Sequence, residues 1–258
     1  MLGYCIIVLA AICFSVQNLV ARVLFTPSSV MGWFETGGFV AATLPNSFLL
    51  LFMRMVLGVP LMVMLLPQVY PHLWQDFAHL KQPEYRRELG LALAGGGLMF
   101  LYLGLLYVAV GRLATGIALS LFFTFPVYTA LISWGWLGQR LSGWGWGIMA
   151  LIGLGSGLTL PLQGQATVSW LGVSFGLASA GVYALYTVVA QKAFETFHPL
   201  PFTTISFAAT LLLSGVSLLI SPVRWEGLPW LGLWIGALVS ALATATGHLL
   251  NNLGIRRV

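Results

Sequence analysis

Charge is what this chain has least of: eleven Lys and Arg and six Asp and Glu among 258 residues, about 7% of the whole. A water-soluble globule carries roughly a quarter of its residues as charges, so an ordinary soluble fold is excluded. The carboxylates, Glu35, Asp76, Glu84, Glu88, Glu195 and Glu226, all fall in expected loops or at helix ends. No apolar run therefore holds an acid at its centre, the group through which proton-driven exporters commonly trade a proton for solute. Cysteine is nearly absent too. Cys5 and Cys13 stand on one expected helix about 12 Å apart along its axis, which is too far for them to pair. The basic residues come in ones, twos and threes, so the formal net charge of +5 forms no patch that could follow a nucleic acid. Metal and cofactor motifs are also missing. His72 and His79 have no third ligand nearby and read as solvated, and the glycines of Gly153-Leu-Gly-Ser-Gly157 have no strand before them and no Lys after. The amino-terminal run lacks the basic leader of a secretory signal and is longer than its usual apolar region, so it reads as a retained first helix.

What the chain has in abundance is apolar length: 59% of its residues are hydrophobic and the mean hydropathy is +0.95. A hydrocarbon layer of ~30 Å requires about twenty apolar residues per helix, and about eight such runs can be marked off by Pro, Gly and charge. They cover Tyr4 to Phe25, Asn46 to Leu66, Leu89 to Val110, Ala114 to Trp136, Gly143 to Leu160, Trp170 to Phe194, Pro201 to Ile220, and Leu228 to about Leu253. The expected fold is an all-α polytopic membrane bundle, with lipid as its main solvent. Trp33, Trp74, Trp170 and Trp225 sit at ends of runs, where indole rings favour the headgroup level. Between the first two runs, Pro27 to Pro45 is apolar enough to lie in the outer interface or fold partly back. Pro67 to Glu88 reads as a short amphipathic helix on the inner surface. Gly143-Trp-Gly-Trp-Gly147 and Gly153 to Gly157 space small residues along the fifth run, a helix-packing signal.

Orientation follows from the basic residues. With the amino terminus inside, Lys81, Arg86, Arg87, Arg140, Lys192, Arg256 and Arg257 are cytoplasmic, against Arg22, Arg112 and Arg224 outside. A cytoplasmic amino terminus in a plasma or inner cell membrane is expected.

The chain also contains a faint internal repeat. Ala11 to Arg22 aligns without a gap over Ala180 to Gln191, so that the stripe Phe14, Asn18, Arg22 matches the stripe Tyr183, Thr187, Gln191. Ala109-Val-Gly-Arg-Leu113 matches Gly254-Ile-Arg-Arg-Val258. Units that begin five spans apart, an odd number, enter the membrane in opposite directions, as inverted transporter repeats do. The expected division is residues 1 to 160 as a first repeat and 161 to 258 as a second. The second holds two helices fewer, so either the sequence is a piece of a longer one or another chain, a second copy included, covers the eighth helix.

Several stretches resemble the drug/metabolite transporter superfamily, in particular its EamA-type members. They are Arg54 within Phe52-Met-Arg-Met-Val-Leu57, Leu105-Leu-Tyr-Val-Ala-Val110, Phe125-Pro-Val-Tyr-Thr-Ala-Leu131, Leu137-Gly-Gln-Arg-Leu141 and His248-Leu-Leu-Asn-Asn-Leu-Gly-Ile-Arg-Arg257. Gln139 stands where that family usually has a glutamate. The resemblance implies two inverted five-helix repeats, ten helices in all, and the transport of a metabolite or drug.

Arg54 is the strongest pointer to a site. A guanidinium near a helix centre costs roughly 2.5 to 3.5 kcal/mol on insertion scales and has no intramembrane carboxylate to neutralise it. Snorkelling to a lipid phosphate, bonding to backbone carbonyls and binding an anionic solute are its three outlets. Asn18, Tyr107, Tyr183, Thr187, His248, Asn251 and Asn252 are the expected cavity residues around it, although interhelical hydrogen bonding alone accounts for polar groups of this kind. His248 is the candidate proton carrier, since imidazole titrates near neutral pH. Aromatic faces would instead suit a flat or cationic solute. Two other readings compete with a carrier: a hydrolase pairing Ser156 with His248, and a membrane scaffold that transports nothing.

Overall fold

The computed structural model describes residues 2–30, 34–80, 82–138, 142–159, 169–223 and 225–255. The chain is an all-α polytopic bundle. Its helices are α1 (Leu2–Phe25), α2 (Leu44–Val69), α3 (Leu73–His79), α4 (Arg86–Arg112), α5 (Thr115–Phe122), α6 (Phe125–Leu137), α7 (Gly143–Leu158), α8 (Trp170–Phe194), α9 (Pro199–Ile220) and α10 (Trp230–Ile255). Seven stretches among the described residues are long and apolar enough to cross a membrane, α5 and α6 together forming one of them. The expected fifth span is present as α7, but its 16 residues extend only about 24 Å, short of a full crossing.

Three local features depart from expectation. The loop after α1 is an antiparallel hairpin of β1 (Pro27–Val30) and β2 (Phe34–Gly37), with Ser28 opposite Thr36. The fourth span is broken at Phe123 and Thr124. Pro126 lacks the N–H that would bond the Phe122 carbonyl four residues back, and at the break the Leu121 carbonyl accepts instead from the Thr124 hydroxyl at 2.6 Å. The third is α3, the expected short amphipathic helix: Leu73 and the following Leu80 are buried, but Trp74 turns away, 55% exposed.

Packing is dense in one part of the bundle and sparse in another. α1 lies along α10, α4 along both α8 and α9, and α2 along both α9 and α10. In lipid, helices gain little from apolar burial as such, so close van der Waals approach and interhelical hydrogen bonds hold them. At Gly96 on α4 an added Cβ would stand 2.4 Å from the Ala209 Cβ of α9, and at Gly247 on α10 it would stand 2.8 Å from the Phe14 ring of α1. Beside Gly96, Ser206 donates to the Ala92 carbonyl and Thr210 to the Gly96 carbonyl, each at 3.0 Å. The glycines of α7 do none of this. Among the described residues, Gly143, Gly147, Gly153, Gly155 and Gly157 have no neighbouring atom within 4 Å of an added Cβ, which corrects the expectation that they pack helices within this chain. Trp144, Leu151 and Leu158 on the same helix are largely exposed, as a lipid-facing helix requires.

Side chains close the bundle at its two ends. At one, Arg22 of α1 donates to the Val110 and Leu113 carbonyls at 2.7 and 2.6 Å, satisfying the free carbonyls where α4 terminates. At the other, the Tyr70 ring after α2 stacks on His198 before α9 with centroids 4.0 Å apart. There Thr196 also donates to Glu88 at 3.1 Å.

Candidate functional site: a mid-depth cavity around Arg54

Between these ends lies a cavity of about 250 Å³. Residues near the middle of α1, α2, α4, α8, α9 and α10 reach it, together with those at the break between α5 and α6. One side of the wall is polar: Gln17 and Asn18 from α1, Arg54 from α2, Thr244 and His248 from α10. The other is aromatic: Tyr102 from α4, Phe122 and Phe125 flanking the break, and Tyr183 from α8.

Arg54 dominates the polar side. Its residue is 1% exposed, yet Nε, Nη1 and Nη2 have no hydrogen-bond partner among the described residues. The guanidinium carbon stands over the Tyr107 ring, 5.4 Å from its centroid, a cation–π contact. That contact uses none of the N–H donors as a hydrogen bond. Among the described residues, neither neutralisation by a protein carboxylate nor a backbone outlet is present, since no acidic residue lines the cavity and no carbonyl bonds Arg54. The oxygen of Asn18 is likewise buried and unpartnered. Its neighbour Gln17, by contrast, accepts from Thr244, whose hydroxyl also bonds the Ser240 carbonyl at 2.7 Å. This pair fixes α1 against α10 at the depth of the cavity.

On the aromatic side Tyr183 is the hub. Its ring meets Phe125 at 4.6 Å, Tyr102 at 4.8 Å and Phe122 at 5.1 Å between centroids. Phe122 and Phe125 flank the helix break, and both rings meet that of Tyr183. His248 sits between the ring edges of Phe14 and Phe207, each 5.0 Å away, and faces the cavity one turn beyond Thr244.

Of the expected site residues, Asn18, Arg54, Tyr183 and His248 come together on the cavity wall. Tyr107 does not line it but backs Arg54. On α4 the cavity face is Met99, Tyr102, Leu103 and Leu106, an i, i+3, i+4, i+7 set, and Tyr107 is about 100° round from Leu106. That spacing, applied to the sequence, would have selected Tyr102. Thr187 is one turn from Tyr183 but its hydroxyl bonds the Ala184 carbonyl at 2.7 Å and lies 3.1 Å from the Thr129 hydroxyl of α6, off the cavity. Asn251 and Asn252 fall on the last turns of α10, and their side chains lie outside the described residues. Ser156, the candidate nucleophile, donates to the Ser120 carbonyl at 3.0 Å and lines no part of the cavity that His248 faces. The described residues offer no cluster of His, Cys, Asp and Glu suited to a metal ion.

No family model matches the sequence, and no solved structure matches it. The chain is 45% identical over 262 residues to the protein named "uncharacterized transporter sll1319" of Synechocystis sp., in a match covering all of this chain and 79% of that protein.

Proposed function

Since the chain belongs to the family of that Synechocystis protein, which is named a transporter, we propose that it is a secondary carrier that moves a small solute across the bilayer by alternating access. The observation that carries this reading is the cavity at mid-depth with an unneutralised guanidinium on its wall. A scaffold has no use for a buried, unpaired charge, which costs several kcal/mol wherever it is kept.

The helix contacts support the two-repeat organisation, residues 1 to 160 and 161 to 258. Exchanging α1 with α8, α2 with α9 and α4 with α10 turns the α1–α10 packing into α8–α4, and the α2–α10 packing into α9–α4, while α2–α9 maps onto itself. Such an exchange is what a pseudo-twofold in the membrane plane produces, and it puts the cavity on the axis. The broken fourth span beside the cavity also suits transporter architecture, in which discontinuous helices border the solute. Within the drug/metabolite transporter superfamily, the EamA-type members have this organisation by resemblance of the motifs around Arg54 and Pro126. Asn18, Arg54, Tyr183 and His248 contact the solute, and Tyr107 holds Arg54 in place. Rocking the repeats would open one end at a time, releasing either the Arg22 clamp on α4 or the Tyr70–His198 stack with its Thr196–Glu88 bond.

Counterflow in reconstituted vesicles tests the reading. For an alternating carrier, solute loaded inside accelerates uptake of labelled solute from outside. Flux that rises linearly with concentration and ignores the inner solute indicates a channel, and no flux across a broad metabolite panel indicates a scaffold.

A further inference from the structure

We propose that the solute is a small organic monoanion, a carboxylate on a flat apolar body, with its carboxylate on Arg54 and its body against the Tyr183 ring cluster. This rests on the carrier reading for its role in transport, but the binding chemistry stands on the cavity alone.

The charge of the solute follows from what surrounds Arg54. A guanidinium stays protonated in any protein environment. Its three nitrogens have no partner, and the carboxylates of the chain lie at helix ends and in connections, on β2, on α3, at the start of α4 and after α8. The counter-charge must arrive with the ligand. A cation is repelled, because no acid on the cavity wall offsets Arg54. A dianion is disfavoured as well: with one guanidinium at hand, its second charge would be buried without a partner.

The shape of the head group follows from the donors. With Nε, Nη1 and Nη2 all unpartnered, the planar guanidinium offers pairs of parallel N–H donors, a fork that matches the two oxygens of a carboxylate. The unpartnered oxygen of Asn18 on the same wall accepts from a hydroxyl next to that carboxylate. On the same cavity wall the Tyr183 ring meets those of Phe125, Tyr102 and Phe122 at 4.6 to 5.1 Å between centroids, a surface for a flat apolar group. A volume of about 250 Å³ lies at the small end of ligand pockets, so the body is about one ring in size.

Equilibrium binding to the purified full chain in detergent tests this without requiring flux. The probes are 3-phenyllactate, its neutral amide, phenethylamine as the cation, phenyl phosphate at a pH where it is a dianion, and chloride. Phenyllactate is expected to bind at least about tenfold more tightly than any of the others, and Arg54→Gln is expected to erase that preference. Tyr183→Leu is expected to weaken phenyllactate by about tenfold with the anion preference kept. Equal or tighter binding of the cation or the amide, displacement of phenyllactate by chloride at equal concentration, or no saturable phenyllactate binding overturns the proposal. Because the wild-type ranking of probes decides by itself, a misfolded variant leaves the test intact. Selective binding without counterflow would sink the carrier reading and leave the ligand class standing. Counterflow of a cation would do the reverse.

Discussion

The seam between α4 and α9 and the wall around Arg54 lie in the same bundle, and both bury polar side chains. At the seam Ser206 and Thr210 donate to α4 carbonyls across glycines that allow the backbones to approach. At the cavity the Arg54 donors and the Asn18 acceptor have no partner among the described residues. Ser240 Oγ and Glu88 Oε2 are also buried and unpartnered but do not line the cavity. Burial alone therefore does not distinguish the two places, and the state of the hydrogen bonds does: the seam hydroxyls are answered within the protein, while Arg54 and Asn18 keep half of an interaction open, as a ligand site requires.

The sharpest way to separate the two is to remove one of each. Arg54→Ala is expected to lower uptake into vesicles by about a hundredfold or more, since truncating one side of a buried charge-assisted contact costs roughly 2–5 kcal/mol. Its elution as a single species and its melting temperature are expected to hold or rise, because the substitution relieves an uncompensated charge. A melting temperature that collapses along with uptake would make Arg54 a structural residue like those of the seam. At the seam the expected pattern is inverted. Gly96→Val drives side-chain carbon into Ala209 and the Ser206 carbonyl, both under 3.0 Å from an ideal Cβ, and overpacking of this kind costs about 1–3 kcal/mol. Thermal unfolding should fall accordingly, with whatever protein remains folded ranking the probes as the wild type does. Thr210→Val keeps the shape and loses only the hydroxyl's bonds, so a destabilisation of about 0.6 kcal/mol and near-normal uptake are expected. A changed solute ranking in either seam variant would erase the distinction.

The sequence made the spans legible because ~30 Å of hydrocarbon imposes a minimum run of apolar residues, and Pro, Gly and charge mark the ends. The place of Arg54 on the cavity wall was legible for the same reason, as a charge in the wrong solvent, and so was that of Asn18 on the α1 stripe and of His248 one turn after Thr244. What stayed hidden depends on rotation about a helix axis or on a second helix. Tyr107 and Tyr102 differ by five positions on one helix, and only the cavity face decides between them. Thr187 keeps the spacing of the stripe but finds Thr129, a partner from another helix that no local pattern announces. The break at Thr124 was readable in principle from Pro126, and its consequence, two rings turned toward Tyr183, was not.

Glycine spacing illustrates the limit best and carries the smallest effect. The Gly-rich pattern of α7 and the Gly95-Gly96 pair of α4 are equally suggestive in sequence, yet only the α4 pair meets a neighbour. Replacing Gly153 by Ala adds a methyl group to open space and improves intrinsic helix propensity, by at most about 1 kcal/mol on scales measured in water. A melting temperature and uptake that are unchanged, or a slight rise in the first, are expected, against a clear loss for the same change at Gly96. If Gly153→Ala instead destabilises the protein as Gly96→Ala does, α7 must pack in the membrane on a surface outside this bundle, such as a second copy of the chain. Chemical cross-linking in native membranes would then show that species, and its loss on the substitution would identify α7 as the contact.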